Sequence, residues 1–193
     1  MSRRIHPDPL TSDELGLAVL AVAADHGLAA ATIREVAARV GVSIGAVQHH
    51  FPTKASLQIH AFVALVDRVS ARVDRAVRDS AHPIEDALAE LVPLDEERRA
   101  EARVMIEFAA LAVRTPALAE VQERTLRRIR DGLANALERR GVSQPGLRAA
   151  ALIAVVDGLA LHMASTGGGY PDEDLGAVLH DQLSLVLGER AAG

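Results

Sequence analysis

Between Ala31 and Lys54 the chain reads ATIREVAARVGVSIGAVQHHFPTK. Polar groups stand there at helical spacing among unusually small neighbours. Thr32 and Ser43 carry hydroxyls, Gln48 an amide, His49 and His50 imidazoles. Lys54 carries the only ammonium, since it is the one lysine among 21 Lys+Arg in a chain of formal net charge −5. His49 and His50 are adjacent, and adjacent side chains on a helix point about 100° apart, so they do not readily share an ion. No metal and no cofactor is expected. The set can exchange hydrogen bonds and attract an anion, which is the chemistry of binding.

Local signals say how these residues are held. Thr32 is a helix N-cap, with Glu35 three residues later as a capping box. Gly41 ends that helix, Ser43 caps the next, and Val42 and Val47 stand at the positions of a hydrophobic staple. Phe51-Pro52 breaks the third helix, and Thr53 caps a fourth. Two short helices joined by a tight Gly-containing turn form a helix-turn-helix. Ile33, Val36, Val40, Val42, Val47 and Phe51 can turn inward. Ser43, Ile44, Gly45, Ala46, Gln48 and His49 then remain outward, small at the N-terminal end, so that the backbone can approach a wall closely. That suits a recognition helix entering a major groove. Lys54 falls in the first turn of the fourth helix, where the macrodipole disfavours a cation but free N–H groups bind anions. A lysine there strengthens a phosphate site, and Thr32 heads a similar amide cluster. Two helix N-termini flanking a slim helix would clamp a DNA backbone.

The rest of the chain must support this unit. With 193 residues, 49% hydrophobic but only 2% aromatic, aliphatic and alanine packing carries the core, and the composition favours helices. About nine helices and no strands are expected. The first begins at Thr11 or Ser12 and stops at Gly27, with Leu15, Val19 and Val22 as its apolar stripe. The fourth runs to about Arg78, long enough at 1.5 Å per residue to join two lobes. Short and long helices follow to Val92, from Asp95 to Arg114 and from Pro116 to Arg140, the last with Leu126, Ile129, Leu133 and Leu137 inward. The eighth, PGLRAAALIAVVDGLALHMAS, is apolar almost all round and must be covered on every side. With the ninth, DEDLGAVLHDQLSLVLGER, it leaves more apolar surface than one lobe buries, so a second copy is expected to cover it. TGGGYP at 166–171 is expected as a loop, and the tail ERAAG to fray.

Several classes are excluded. The absence of cysteine removes disulfides and thiolate sites and fits a reducing compartment. Met1–Leu10 has no apolar core of a secretory signal. Even an unbroken apolar run as long as Ala149 to Val156 is far short of the ~20 residues of a membrane span. No phosphate loop, nucleophile elbow or zinc-protease motif marks an enzyme. Residues 1–60 are charge-balanced, so the acidic excess lies beyond them; this permits an anionic partner at the N-terminal third. The arginines at 124, 127, 128 and 130 alternate with Glu123 and Asp131 as a solvated face. Asp157 and His162, inside the apolar eighth helix, are expected as satisfied buried groups, or else as ligand contacts.

Thr32 to Lys54, followed by Leu57, resembles the DNA-binding signature of the TetR family of bacterial regulators, over roughly residues 11–60. LVPLDEERRAEARVMIEFAALAVRTPAL and VVDGLALHM resemble the C-terminal domain of its BetI-type branch. The resemblance implies an all-α protein with a helix-turn-helix three-helix domain at 1–56 and a helical ligand-binding and dimerisation domain at 57–193. It implies a cytoplasmic, homodimeric, ligand-responsive repressor on a near-palindromic duplex operator. By position, Thr32, Ser43, Ile44, Gly45, Ala46, Gln48, His49, His50 and Lys54 would lie at or near DNA. The family usually has tyrosine where this chain has Gln48. A small, largely apolar effector would sit in the C-terminal lobe, with Met105, Phe108, Asp157, His162 and Met163 as candidate lining. The alternative is a helical dimeric ligand-binding protein that has lost specific DNA binding.

Overall fold

The computed structural model describes residues 11–166 and 172–188. The loop expected at 166–171 and the expected fraying tail fall largely outside them, as do residues 1–10. Among the described residues there are nine helices and no strand: α1 (Ser12–His26), α2 (Ile33–Val40), α3 (Ile44–His50), α4 (Lys54–Val77), α5 (Pro83–Ala89), α6 (Glu96–Ala112), α7 (Pro116–Arg139), α8 (Pro145–Thr166) and α9 (Asp172–Leu187).

The helix starts follow from local hydrogen bonds. Thr11 and Glu14 form a complete reciprocal box at α1. The box expected between Thr32 and Glu35 is half made: the Thr32 hydroxyl accepts from Glu35 N at 3.2 Å, but the Thr32 amide already donates to Ala30 O. Ser43 accepts from Ala46 N at 3.1 Å, and Thr53 from Ser56 N at 3.0 Å. Asp95 accepts from Arg98 N at the start of α6, and that backbone bond, with help from the Arg98 side chain, holds its pKa below the usual carboxylate range. Gly41, at φ 79°, closes α2 in a left-handed conformation that side-chain-bearing residues rarely adopt.

Two compact units divide the chain. The first comprises residues up to Arg68 together with Val104–Val121. The expected stripe of α1, Leu15, Val19 and Val22, is fully buried in it, with Val36, Val47, Leu57, Ala61 and Phe108. Phe62 of α4 meets Phe108 edge-on at 5.4 Å between centroids. The second unit comprises Val69–Arg103 and the residues from Gln122 onward. Its core joins Ile84, Leu88 and Val92 to Leu137 of α7, Leu152, Val156 and Met163 of α8, and Leu175, Leu179 and Leu183 of α9. Arg72 bridges Glu90 at 2.9 Å and Glu101 at 2.8 Å. Burial opposes its charge, but the two carboxylates outweigh that and raise its pKa.

The single chain does not cover all that was expected to be inward. Leu126 of α7 is 42% exposed although Leu137 is fully buried. On α8, Leu147 is 64% and Leu161 48% exposed, opposite the buried Leu152, Val156, Leu159 and Met163. By length and composition α8 is the one described helix that could cross a membrane, and only 28% of its most apolar stretch is buried.

Candidate nucleic-acid interface

α3 is short, and the contacts that hold it and its neighbour α2 lie away from its outer face. Val47, 0% exposed, roots it in the first unit. Phe51 closes it and packs its ring 5.0 Å from that of His60 on α4. α2 is tied to α1 by an Arg39–Asp25 ion pair of 2.8 Å. Ser43, Ile44, Gly45, Gln48 and His49 are thus left exposed, with Ala46 and His50 half-buried. The outward set read from the sequence is the one found, except that Ala46 is half-buried; His50, outside that set, has its Nδ1 3.4 Å from Ser12 Oγ.

Gly45 has no intramolecular reason to be glycine. A β-carbon there would meet only Ser43 Oγ, at the ordinary distance of 3.9 Å. The fold therefore has room for a side chain at this position. Thr32, at the start of α2, and Lys54, the first residue of α4, are both exposed. Lys54 Nζ donates to Ala29 O at 3.1 Å, which occupies one of its three donors and orients the rest. Sequence reasoning did not find this carbonyl, because the two residues are 25 apart.

The five candidate effector residues are divided between the two compact units. Met105 and Phe108 belong to the first unit and Asp157, His162 and Met163 to the second. Phe108 and Met163 are core residues at 0% and 3% exposure. The expectation of a satisfied buried Asp157 is corrected: it is exposed, and among the described residues it has no hydrogen-bond partner. Neighbouring atoms still desolvate it enough to raise its pKa. It lies in a groove of about 490 Å³ formed by Glu123, Leu126, Arg127 and Arg130 of α7 with Ala150, Ile153, Ala154 and Asp157 of α8. His162 is exposed, and its backbone carbonyl accepts from Thr166 Oγ1 at 2.7 Å. Arg127 pairs with Glu123 as expected of a solvated helix face. No group of three or more metal-ligating side chains occurs among the described residues.

A capped two-helix turn with a slim, polar outer face, flanked by helix N-termini, defines a helix-turn-helix DNA-binding protein. Comparison with known proteins narrows this. Residues 18–61 match the family described as bacterial regulatory proteins, tetR family, and residues 81–188, over half the chain, match the BetI-type transcriptional repressor C-terminal domain. The chain belongs to the TetR family of transcriptional regulators. It is 28% identical to the HTH-type transcriptional regulator BetI of Stenotrophomonas maltophilia over 186 residues, 93% of this chain and 94% of that one. A crystal structure of a transcriptional regulator from Rhodococcus sp. Rha1 is 42% identical, with a TM-score of 0.87 over 94% of this chain and all of that one. The multidrug binding protein EbrR, crystallised with imidazole, is 26% identical with a TM-score of 0.67, over 91% of this chain and 96% of that one. The protein is therefore a DNA-binding transcriptional repressor, and nothing in these matches favours a carrier that has lost DNA binding.

Proposed function

We propose that the protein binds a near-palindromic duplex operator as a homodimer, each copy laying α3 in the major groove. Ser43, Ile44, Gly45, Ala46 and Gln48 face the bases and groove wall, with His49 and His50 at the far end of the helix. Thr32 and Lys54 hold phosphates on either side. The observation that carries this is the exposed small-residue face of α3 beside the single lysine. Residues 1–56 form the DNA-binding domain, and residues 57–193 the dimerisation and effector-binding part, working in the cytoplasm. The outer faces of α8 and α9 meet a second copy, since Leu147, Leu161, Val178 and Leu185 are otherwise exposed to water.

A small, largely apolar effector releases the DNA by preferring a state in which the two recognition helices are wrongly spaced. That relatives bind small molecules is supported by the EbrR complex with imidazole. Of Met105, Phe108, Asp157, His162 and Met163, only Asp157 lines the α7–α8 groove.

The test is a gel shift on the DNA upstream of the protein's own gene, titrated with salt. A specific complex that weakens steeply with salt supports the proposal. Absence of any specific complex, there or in a selection from random duplexes, refutes it.

A further inference from the structure

The turn between α1 and α2 is gripped by two side chains of opposite charge. The carboxylate of Glu107, on α6, accepts from the Leu28 N–H, a residue 79 positions away. The ammonium of Lys54, on α4, donates to the very next peptide carbonyl but one, that of Ala29, at 3.1 Å. Around these contacts the turn is tightly bonded to itself: Ala30 N to Gly27 O at 3.1 Å, Ala31 N to Leu28 O at 3.2 Å, and Thr32 N to Ala30 O at 2.7 Å. Leu28 and Ala31 are buried at 3% and 0% exposure, so the turn cannot rotate freely about its ends. Glu107 also fits closely over Gly27, where a β-carbon would stand 3.4 Å from its Oε1 and where φ is 82°. All these residues belong to the first compact unit.

We infer that Glu107 is a positioning residue for DNA binding: by holding the Leu28 amide it fixes the turn whose Ala29 carbonyl aims Lys54 at the DNA backbone. The inference rests on the proposal that Lys54 contacts a phosphate. A lysine side chain has four rotatable carbons, and an unrestrained ammonium spreads over many positions. Anchoring one donor on Ala29 O confines it and leaves two donors for a phosphate. If Leu28 N loses its acceptor, a buried amide is left unpaired and the turn shifts to find another partner. Ala29 O then moves with it, and Lys54 loses its rest. Glu107 itself need never approach DNA.

Lys54 being the only lysine gives this a direct readout. Full-length protein grown with 13C,15N-lysine reports on Lys54 alone. The DNA probe is the tightest duplex that the unmodified protein selects from a random library. Glu107→Ala should make the Lys54 Nζ and Cε signals as mobile as those of a free lysine. It should also lower the slope of log affinity against log salt by about 1 per subunit, as Lys54→Ala does. The double variant should fall no further. Glu107→Gln keeps an oxygen that accepts from Leu28 N and should restore both readouts. Should Glu107→Ala not fold, Glu107→Asp, one methylene too short to reach, replaces it. A loss of general stability alone would leave the salt slope of the folded protein unchanged. Unchanged Lys54 signals and slope in the Glu107 variants, beside a lowered slope in Lys54→Ala, overturn the inference. An unchanged slope in Lys54→Ala itself overturns the phosphate contact, and the inference falls with it.

Discussion

α3 and α8 both turn small residues outward, and their settings differ. On α3 the exposed Gly45 sits among Ser43, Gln48 and His49, with helix starts and their free N–H groups alongside. On α8 the exposed Ala150, Ala151 and Ala154 sit between Leu147 and Leu161. Small residues let two backbones approach in either case. What surrounds them decides which partner gains from the approach: hydrogen-bonding groups suit a charged, hydrated groove, whereas leucines gain only by leaving water. On the proposed function, the same sparing use of side-chain volume serves two unlike interfaces, one for DNA and one for a copy of the chain.

The comparison is broken most severely on the α8 side. Ala154→Arg places a charge on an exposed face, so the fold should persist by circular dichroism while the dimer dissociates in sedimentation. Losing one of two linked half-site contacts should cost operator affinity roughly 10²–10⁴-fold. Leu183→Arg makes a poor substitute, because Leu183 is 3% exposed inside the second-unit core and a charge there unfolds the chain. If the unmodified protein sediments as a monomer at micromolar concentration, α8 is not an interface and its likeness to α3 is accidental.

Gly45→Ala tests the α3 side. The fold has space for the methyl group, and alanine is favoured over glycine in a helix by roughly 0.5–1 kcal/mol. The melting temperature should therefore hold or rise. Affinity for the operator should fall by about tenfold, equivalent to roughly 1.4 kcal/mol. Stability and binding moving in opposite directions is the signature of a residue kept small for a partner. Unaltered affinity would mean that α3 stands off from the groove at this point.

A narrower effect is expected at Gln48, whose amide can pair with an adenine N6/N7 edge where tyrosine would reach the DNA backbone. Gln48→Ala should relax preference at one base pair per half-site, by roughly 1–3 kcal/mol, and leave the other positions intact. In binding-site selection, an even loss at every position would refute base readout and leave Gln48 a backbone contact.

How much of this was legible in the sequence depends on distance along the chain. The caps at Thr32, Ser43 and Thr53 join a side chain to an amide three residues on, and the motif announces them. The inward and outward faces of α3 follow from period alone. The grip of Glu107 on Leu28, the Lys54–Ala29 bond and the Phe62–Phe108 contact join residues 25 to 79 positions apart or on different helices, and periodicity does not name partners. It likewise could not show that Val104–Val121 completes the first unit. The effector candidates rest on residue type on apolar helices, which says that a side chain is surrounded but not by what. They fall in separate units for that reason. Asp157 is expected to be buried and satisfied because its neighbours in sequence are apolar, but it stands on the exposed side of α8, where those neighbours give no cover.

Asp157 gives the smallest expected effect and the finest test of the α8 face. Its pKa is raised because desolvation favours the neutral acid. A carboxyl whose folded pKa lies above its unfolded one contributes stability below the unfolded value and loses it as pH rises through the folded value. At neutral pH the charged Asp157 therefore works against the fold. Asp157→Asn, neutral at every pH, should raise the melting temperature slightly at neutral pH, and its advantage should vanish as pH falls below the ordinary carboxylate range. The effect stays small in an isolated chain because the side chain is exposed and water screens it. Covering α8 with a second copy desolvates the carboxylate further, so the advantage should grow with protein concentration and unmodified dimers should tighten on mild acidification. An Asn advantage that ignores concentration would place Asp157 outside the interface, and one that ignores pH would show a fully hydrated carboxylate. Either result would confine the likeness between α3 and α8 to the alanines, and separate the dimer face from the α7–α8 groove in which Asp157 lies.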